Sequence, residues 1–330
     1  MELEKYLKQI IQLSEYELTA DDIKKIQFEG IEKYVIDKLN LSKYRSTSIP
    51  YELLQKITNI VNNSIKNSKP IHVTVPFGGF KKWQLMPAPN PDWSEILNFI
   101  FLREYLLPIC TVYKPGIILD YFSDEVFVSR MNNYSQEDLD NYNNKFQDIL
   151  KYFKNFVPYN FKIKYSYIRD EISQVEIMKR FEEDIPKLKL EWNKLSDKDK
   201  KDSLQKTERN YKCDYSKISE QEKYEKIFDS CMVHEAFVNG KWDHDIPWAF
   251  AEDMIPLGFV YTKKWGIHLK SSVSSTVQFW VGVGALKFVE NSIIPTILTY
   301  EQFKTLKPEL VKINIFSADM DYLNKILVIK

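Results

Sequence analysis

Between Ile71 and Ile168 the chain alternates short β-branched runs with longer stretches at helical spacing, and this alternation restricts the fold more than any other feature. Ile71-His72-Val73-Thr74-Val75 reads as a strand, stopped by Pro76-Phe77-Gly78-Gly79. Asp92 caps a helix carrying Trp93, Ile96, Leu97, Phe99, Ile100, Leu102 and Tyr105, with Pro108 as its end and residues 108–112 extended. Gly116 to Phe122 reads as a second strand. Ser135, with Asp138 three residues on, opens a helix that runs to about Phe153, and Phe161 to Ile168 alternates as a third strand. Strands separated by helices imply an α/β fold: a mostly parallel, Rossmann-like sheet flanked by helices. In such a sheet, ligands bind at the carboxyl ends of the strands.

The flanks differ from this middle. Residues 1–68 read as an N-terminal helical extension, a cap or homo-oligomerisation element, with Leu3, Tyr6, Leu7, Ile10 and Ile11 at helical intervals in its first helix. Thr19 or Asp21 caps the second helix, and Pro50 suits the first turn of the third. Residues 69–330 form the α/β, catalytic-type domain. Inside it, residues 173–235 read as a charged helical insertion, solvated or acting as a lid, with alternating Lys and Asp over Ser196 to Lys206. From Pro256 the chain turns β-rich: Leu257 to Thr262, Ile267 to Val273, Val277 to Phe288, Leu310 to Phe316 and, at an edge, Ile326 to Ile329. Gly282 and Gly284 mark a close backbone approach.

Charge narrows the function. The 46 basic and 46 acidic residues cancel, which argues against a general nucleic-acid binder. The three cysteines are odd in number, widely spaced and without a CxxC pair, and the N-terminus is charged with no apolar leader; both point to a reduced, cytoplasmic protein. No apolar run approaches the ~20 residues that span a bilayer.

Glycine is scarce, 9 in 330 residues, so its positions carry information. Gly78-Gly79 with Lys81 and Lys82 joins backbone amides to ammonium groups, which suits a phosphate or carboxylate, or forms a tight turn with solvated lysines. Ser123-Asp124-Glu125 is a cluster of acceptors at a strand end, for an ammonium, a proton or a divalent ion, or a helix cap. Arg130 and Arg169 offer forked donors to a carboxylate, or structural ion pairs. His268, Lys270 and Ser272 alternate on one strand face, which suits a sugar phosphate or an exposed polar face. His234, Asp243 and His244 lack the HExxH spacing of a metal site and read as local caps. No metal site is assigned, and P-loop, GxSxG, GxGxxG and kinase signatures are absent.

Taken together, Val75 to Leu150 resembles the isocyanide (isonitrile) synthases of pyoverdine/paerucumarin and dityrosine biosynthesis. The matching residues are Pro76-Phe77 leading to Lys81, Asp92 with Glu95, Ile109, Val112-Tyr113, Pro115-Gly116, Ser123-Asp124 and Tyr142, with Ile267 to Ser271 similar to the family's later basic strand. The chain departs from the pattern in having Gly-Gly-Phe-Lys-Lys-Trp where the family has Lys-Ser/Thr-x-Asn, and Glu125 where a glycine follows Ser-Asp. The resemblance implies small-molecule biosynthesis: an amino-acid amine condenses with the ketone of ribulose 5-phosphate, whose carbon becomes the isocyanide carbon, with no cofactor. It implies Lys81, Lys82 and Lys270 on the phosphate, Arg130 or Arg169 on the carboxylate, Asp124 on the amine or its protons, and His268 as acid/base, with Gly78, Gly79, Ser123 and Ser272 lining the site. Two other readings stand beside it: a glycosyl- or nucleotidyl-type transferase with Asp120 and Asp124 on a divalent ion, and a non-catalytic interaction protein, in which Lys81, Asp124 and Lys270 would not converge.

Overall fold

The computed structural model describes residues 3–41, 44, 49, 51–77, 81, 83–86, 90–123, 125–239, 253–257, 282–290 and 292–330. Three helices lead: α1 (Leu3–Gln12), α2 (Ala20–Leu39) and α3 (Tyr51–Lys66). Thr19 caps α2 through a reciprocal box with Asp22, and Gly30, at φ 87°, kinks it. The alternating middle follows: β1 (Ile71–Phe77), α4 (Trp93–Val112), β2 (Ile117–Ser123), α5 (Glu125–Asn132), α6 (Gln136–Phe153), β3 (Phe161–Tyr167) and a single helical turn, α7 (Ile168–Glu171). The charged segment is α8 (Gln174–Lys194), α9 (Asp197–Asn210) and α10 (Glu220–Asn239). The chain then runs through β4 (Ile255–Pro256), β5 (Val283–Val289), β6 (Ser292–Leu298), α11 (Tyr300–Leu306), β7 (Glu309–Lys312) and β8 (Lys325–Ile329).

The first sheet has the order β3-β2-β1-β4, and its pairings are parallel. Phe77, Ser123 and Tyr167 stand side by side at the carboxyl rim. The second sheet, β6-β5-β8-β7, is mixed. The α/β architecture with a β-rich C-terminal part is therefore as the alternation predicts. Helix α4 is buried over nearly its whole length and packs against α2, β2, β5 and β6. One core cluster joins it to Leu7, Ile11, Tyr34 and Ile57 of the leading helices and to Leu286 and Val328 of the second sheet. Apolar burial on every face explains why this helix has no amphipathic stripe.

Several boundaries differ from expectation. Helix α4 passes through Pro108 to Val112; the flanking Leu106, Leu107, Ile109 and Cys110 are buried, and that packing outweighs the lost amide bond. Strand β1 continues through Pro76 to Phe77, where the described part of β4, which pairs with Val73 and Thr74, no longer reaches. Strand β8 lies between β5 and β7 rather than at an edge; β6 and α11 add elements the sequence pattern did not separate. The charged segment packs an apolar face, Ile177, Phe181, Ile185, Trp192, Met232 and Val233, on Phe122, Val126 and Phe127. The expected strands over 257–262 and 267–273 fall largely or wholly outside the described residues, and the start of the strand expected from Val277 falls outside them too. Among the described residues, no helix is long and apolar enough to cross a membrane.

Two glycines are fixed by close approach. A Cβ on Gly116, at φ 71°, would lie 1.9 Å from the Asn160 carbonyl oxygen. One on Gly284 would lie 2.3 Å from the Ser94 amide nitrogen, because β5 presses directly on the first turn of α4.

Candidate active site

The carboxyl rim of the parallel sheet brings two polar clusters together behind and beside the strand ends. The first is built on the start of α4. The Asp92 carboxylate accepts the Ser94 amide, while the Asp92 amide donates to Glu95 Oε2 at 2.6 Å, closing a capping box. Lys81 enters from the loop after β1 and is wholly buried. Its ammonium meets Glu95 Oε1 at 2.6 Å, Asp92 Oδ1 at 3.1 Å, Ser94 Oγ at 2.5 Å and the Gly282 carbonyl at 3.0 Å. From α6, the Tyr142 hydroxyl donates to Glu95 Oε1 at 2.5 Å. Tyr142 is itself stacked against Phe77, the last residue of β1.

Electrostatically this cluster holds one ammonium against two carboxyl groups. Burial pushes Glu95 up to about 7, against the pull of Lys81; the Asp92 charge adds to the rise. Glu95 is thus a buried acid that changes charge near neutral pH, a property common at sites of proton transfer. Burial also raises Tyr142 well above the usual phenol range, which keeps it a donor.

The second cluster lies at the ends of β2 and β3. The Ser123 hydroxyl donates to Glu125 Oε2 at 2.7 Å. Arg169 Nε lies 3.2 Å from Glu125 Oε1, and its Nη1 is 3.9 Å from Asp140 Oδ1. The guanidinium stacks on the Tyr167 ring at 4.4 Å, and Gln147 Nε2 donates to the Tyr167 hydroxyl at 2.9 Å. Helix α6 supplies Asp140, Tyr142 and Gln147 and so links the two clusters along one helix.

The predicted site residues fall out as follows. Lys81, Ser123 and Arg169 stand at this rim. Lys81 points inward, in a geometry that positions Asp92 and Glu95. Arg130 points elsewhere: it pairs with Asp229 of α10 at 3.5 Å and leans on Phe181 of α8. Gly78, Gly79, Lys82, Asp124, His268, Lys270 and Ser272 lie outside the described residues. Asp120, the other carboxylate of the transferase reading, is buried and engaged through Oδ2 by His72 at 3.2 Å, Ser166 at 3.0 Å and Lys164 at 3.3 Å. Among the described residues no group of three or more His, Cys, Asp or Glu is arranged to hold a metal ion. The sequence pattern placed Asp92, Glu95 and Tyr142 in helices and gave them no chemistry. The signal for the first two was the Asp-x-x-Glu cap itself, with a lysine eleven residues upstream.

No family model matches the chain, and no curated protein matches it. Among solved structures the fold is similar to that of the PvcA protein from Pseudomonas aeruginosa, at a TM-score of 0.60 and 14% identity, covering 91% of this chain and 100% of that one. The likeness is one of fold. It includes both flanks of the parallel sheet, since the match extends over nearly the whole chain.

Proposed function

We propose that the chain is an isocyanide-synthase-like enzyme that joins the α-amine of an amino acid to the ketone of ribulose 5-phosphate. The carboxyl rim carries the proposal: Arg169, two-fifths exposed, stands beside the buried carboxyl group of Glu125, and α6, through Asp140 and Tyr142, joins this pair to a second buried carboxyl group, Glu95, that changes charge near neutrality. The fold is one shared with PvcA, a pyoverdine/paerucumarin isocyanide synthase. Condensation of an amine with a ketone passes through a carbinolamine, and its dehydration needs groups that give and take protons near pH 7.

The residues divide the work by their chemistry. Arg169 takes the amino-acid carboxylate on its outer edge, where its fork fits two oxygens. Lys82 and Lys270 hold the phosphate, with the Gly78 and Gly79 amides beside them. Asp124 and Ser123 receive the amine, and His268 serves as acid/base. Lys81 positions the first turn of α4 and pairs with Glu95, so Glu95 can release a proton without leaving a buried anion unpaired.

The deciding experiment incubates the protein with a panel of amino acids and ribulose 5-phosphate labelled with ¹³C at the ketone carbon. The expected product carries the label in an isocyanide carbon. Thermal shifts run alongside. Metal-independent stabilisation by the pentulose phosphate supports the reading. Stabilisation by nucleotide sugars with Mn²⁺ alone, or no labelled isocyanide with any amino acid, overturns it.

A further inference from the structure

The second rim cluster holds one carboxyl group that the condensation chemistry leaves without a task. Glu125 opens α5 with its side chain fully buried. Val126 and Phe127 behind it belong to the apolar cluster shared with α8 and α10. Oε2 is satisfied by the Ser123 hydroxyl. Oε1 faces Arg169 Nε at 3.2 Å yet receives no hydrogen bond, so this contact is charge against charge without an aligned N–H. Arg169 is two-fifths exposed, is held flat on Tyr167, and makes only a 3.9 Å approach to Asp140. Among the described residues, the charged and titratable groups facing Glu125 are Arg169 of α7, Asp140 of α6 and Tyr167 of β3, with Asp170 adjoining Tyr167. One guanidinium already serves two carboxyl groups.

We propose that Glu125 is the proton acceptor for ligand binding at Arg169: when a carboxylate ligand takes the outer edge of the guanidinium, Glu125 Oε1 takes a proton from solvent. The site then binds an acid as carboxylate plus proton. The inference rests on the reading of Arg169 as the carboxylate-binding residue. A third carboxylate beside one cation raises the cost of keeping every group ionised, and the group that gives way is the one water solvates least. Asp140 is nearly half exposed to water, whereas Glu125 is buried. Burial already holds the Glu125 carboxyl above its usual range before any ligand arrives. Its unpaired Oε1 offers a lone pair for the proton. No bond other than O–H forms, and none breaks beyond that of the donating water or buffer acid.

Two consequences follow. Acids bind more tightly as pH falls, because proton uptake makes the complex the more protonated state. Ligands of the same shape without a carboxylate bind with no such dependence.

The test uses the full chain, with benzoate and benzamide as probes. Calorimetric titrations in two buffers of different ionisation enthalpy count protons, and Kd is followed from about pH 6 to about pH 8. The expected result is an uptake approaching one proton per benzoate, with Kd rising up to about tenfold per pH unit above the free-state titration of Glu125. Benzamide, if it binds, shows neither. Glu125→Gln binds benzoate with no proton uptake and no pH slope, while Arg169→Gln loses benzoate binding. Benzoate binding without proton uptake in the wild type, or an undiminished slope in E125Q, overturns the proposal; so does an absence of benzoate binding. The isocyanide assay separates the two readings. Labelled product with proton-neutral benzoate binding removes the role of Glu125 and leaves the condensation, and proton-coupled benzoate binding without product does the reverse.

Discussion

Replacing Glu95 by glutamine tests whether the cluster behind the rim holds its carboxyl group in the protonated form. In the fold Glu95 titrates near 7, against 4.5 for the unperturbed group. Between these two values the folded chain keeps a proton that the unfolded chain has released. Stability therefore falls as pH rises through this window and levels off above about pH 7. A displacement of about 2.5 pH units corresponds to about 3 kcal/mol in total, of which about 2.5 kcal/mol falls between pH ~5 and pH ~8. Glutamine has nearly the same shape, can accept the Tyr142 hydrogen bond and does not titrate, so it removes the dependence. Its NH2 then faces the Asp92 amide and it has no charge to pair with Lys81; these costs offset the whole curve, while the slope reports the titration. Urea unfolding followed by intrinsic fluorescence, at pH ~5, ~6, ~7 and ~8, gives the two stability curves. The wild type is expected to lose about 2.5 kcal/mol relative to E95Q across that range. Parallel curves, or a wild type that gains on the variant as pH rises, would mean that the Lys81 ion pair at 2.6 Å outweighs desolvation and would refute the reasoning.

Other substitutions read different parts of the same framework. Tyr142→Phe removes a donor 2.5 Å from Glu95 Oε1, a hydrogen bond that favours the charged carboxylate; the Glu95 carbonyl band in infrared spectra should persist to higher pH than in the wild type, and a shift to lower pH would count against this account. Arg103 is fully buried and donates to the Ile10 and Ile11 carbonyls at 2.5 and 2.6 Å. Arg103→Met leaves the last turn of α1 without these donors, so a loss of about 3 kcal/mol and early hydrogen exchange across residues 3–12 are expected, whereas unchanged protection of α1 would refute it. Gly284→Ala drives a Cβ into the backbone of Trp93 and Ser94 at 2.3 Å, where neither neighbour is a flexible side-chain tip; a destabilisation of about 3 kcal/mol or more is expected in thermal unfolding, and a wild-type midpoint would show that β5 does not press on α4 as described.

Much of the fold was legible because it rests on local chemistry. Thr19, Asp92 and Ser135 each cap the helix that the pattern placed after them. The spacing of strand and helix in residues 71–168 sufficed for the parallel pairing of β1, β2 and β3. The errors arose where burial overrode a local signal. Pro108 is a helix breaker in an exposed segment and a tolerated residue inside a helix buried on all sides. The Lys- and Asp-rich stretch is solvated as its composition reads, since α9 buries no residue, but the helices on either side of it carry Phe181, Trp192 and Val233 onto α5.

The candidate site was legible by place and not by role. Strand ends and scarce glycines marked the rim, and Lys81, Ser123 and Arg169 do stand there. Arg130 and Arg169 were equivalent as sequence; their partners, Asp229 in one case and a buried Glu125 in the other, make them different.

The sequence by itself determined the kinds of element, their caps and their order, because these depend on residues within a few positions of one another. Tertiary structure decided which charges are buried and what they meet. Lys81 finds Glu95 and a carbonyl 201 residues away, Arg103 finds a helix end 92 residues before it, and β8 finds a place between two strands. The energy of a buried charge depends on everything within a few ångströms that replaces water, and that set of neighbours exists once the chain has closed on itself.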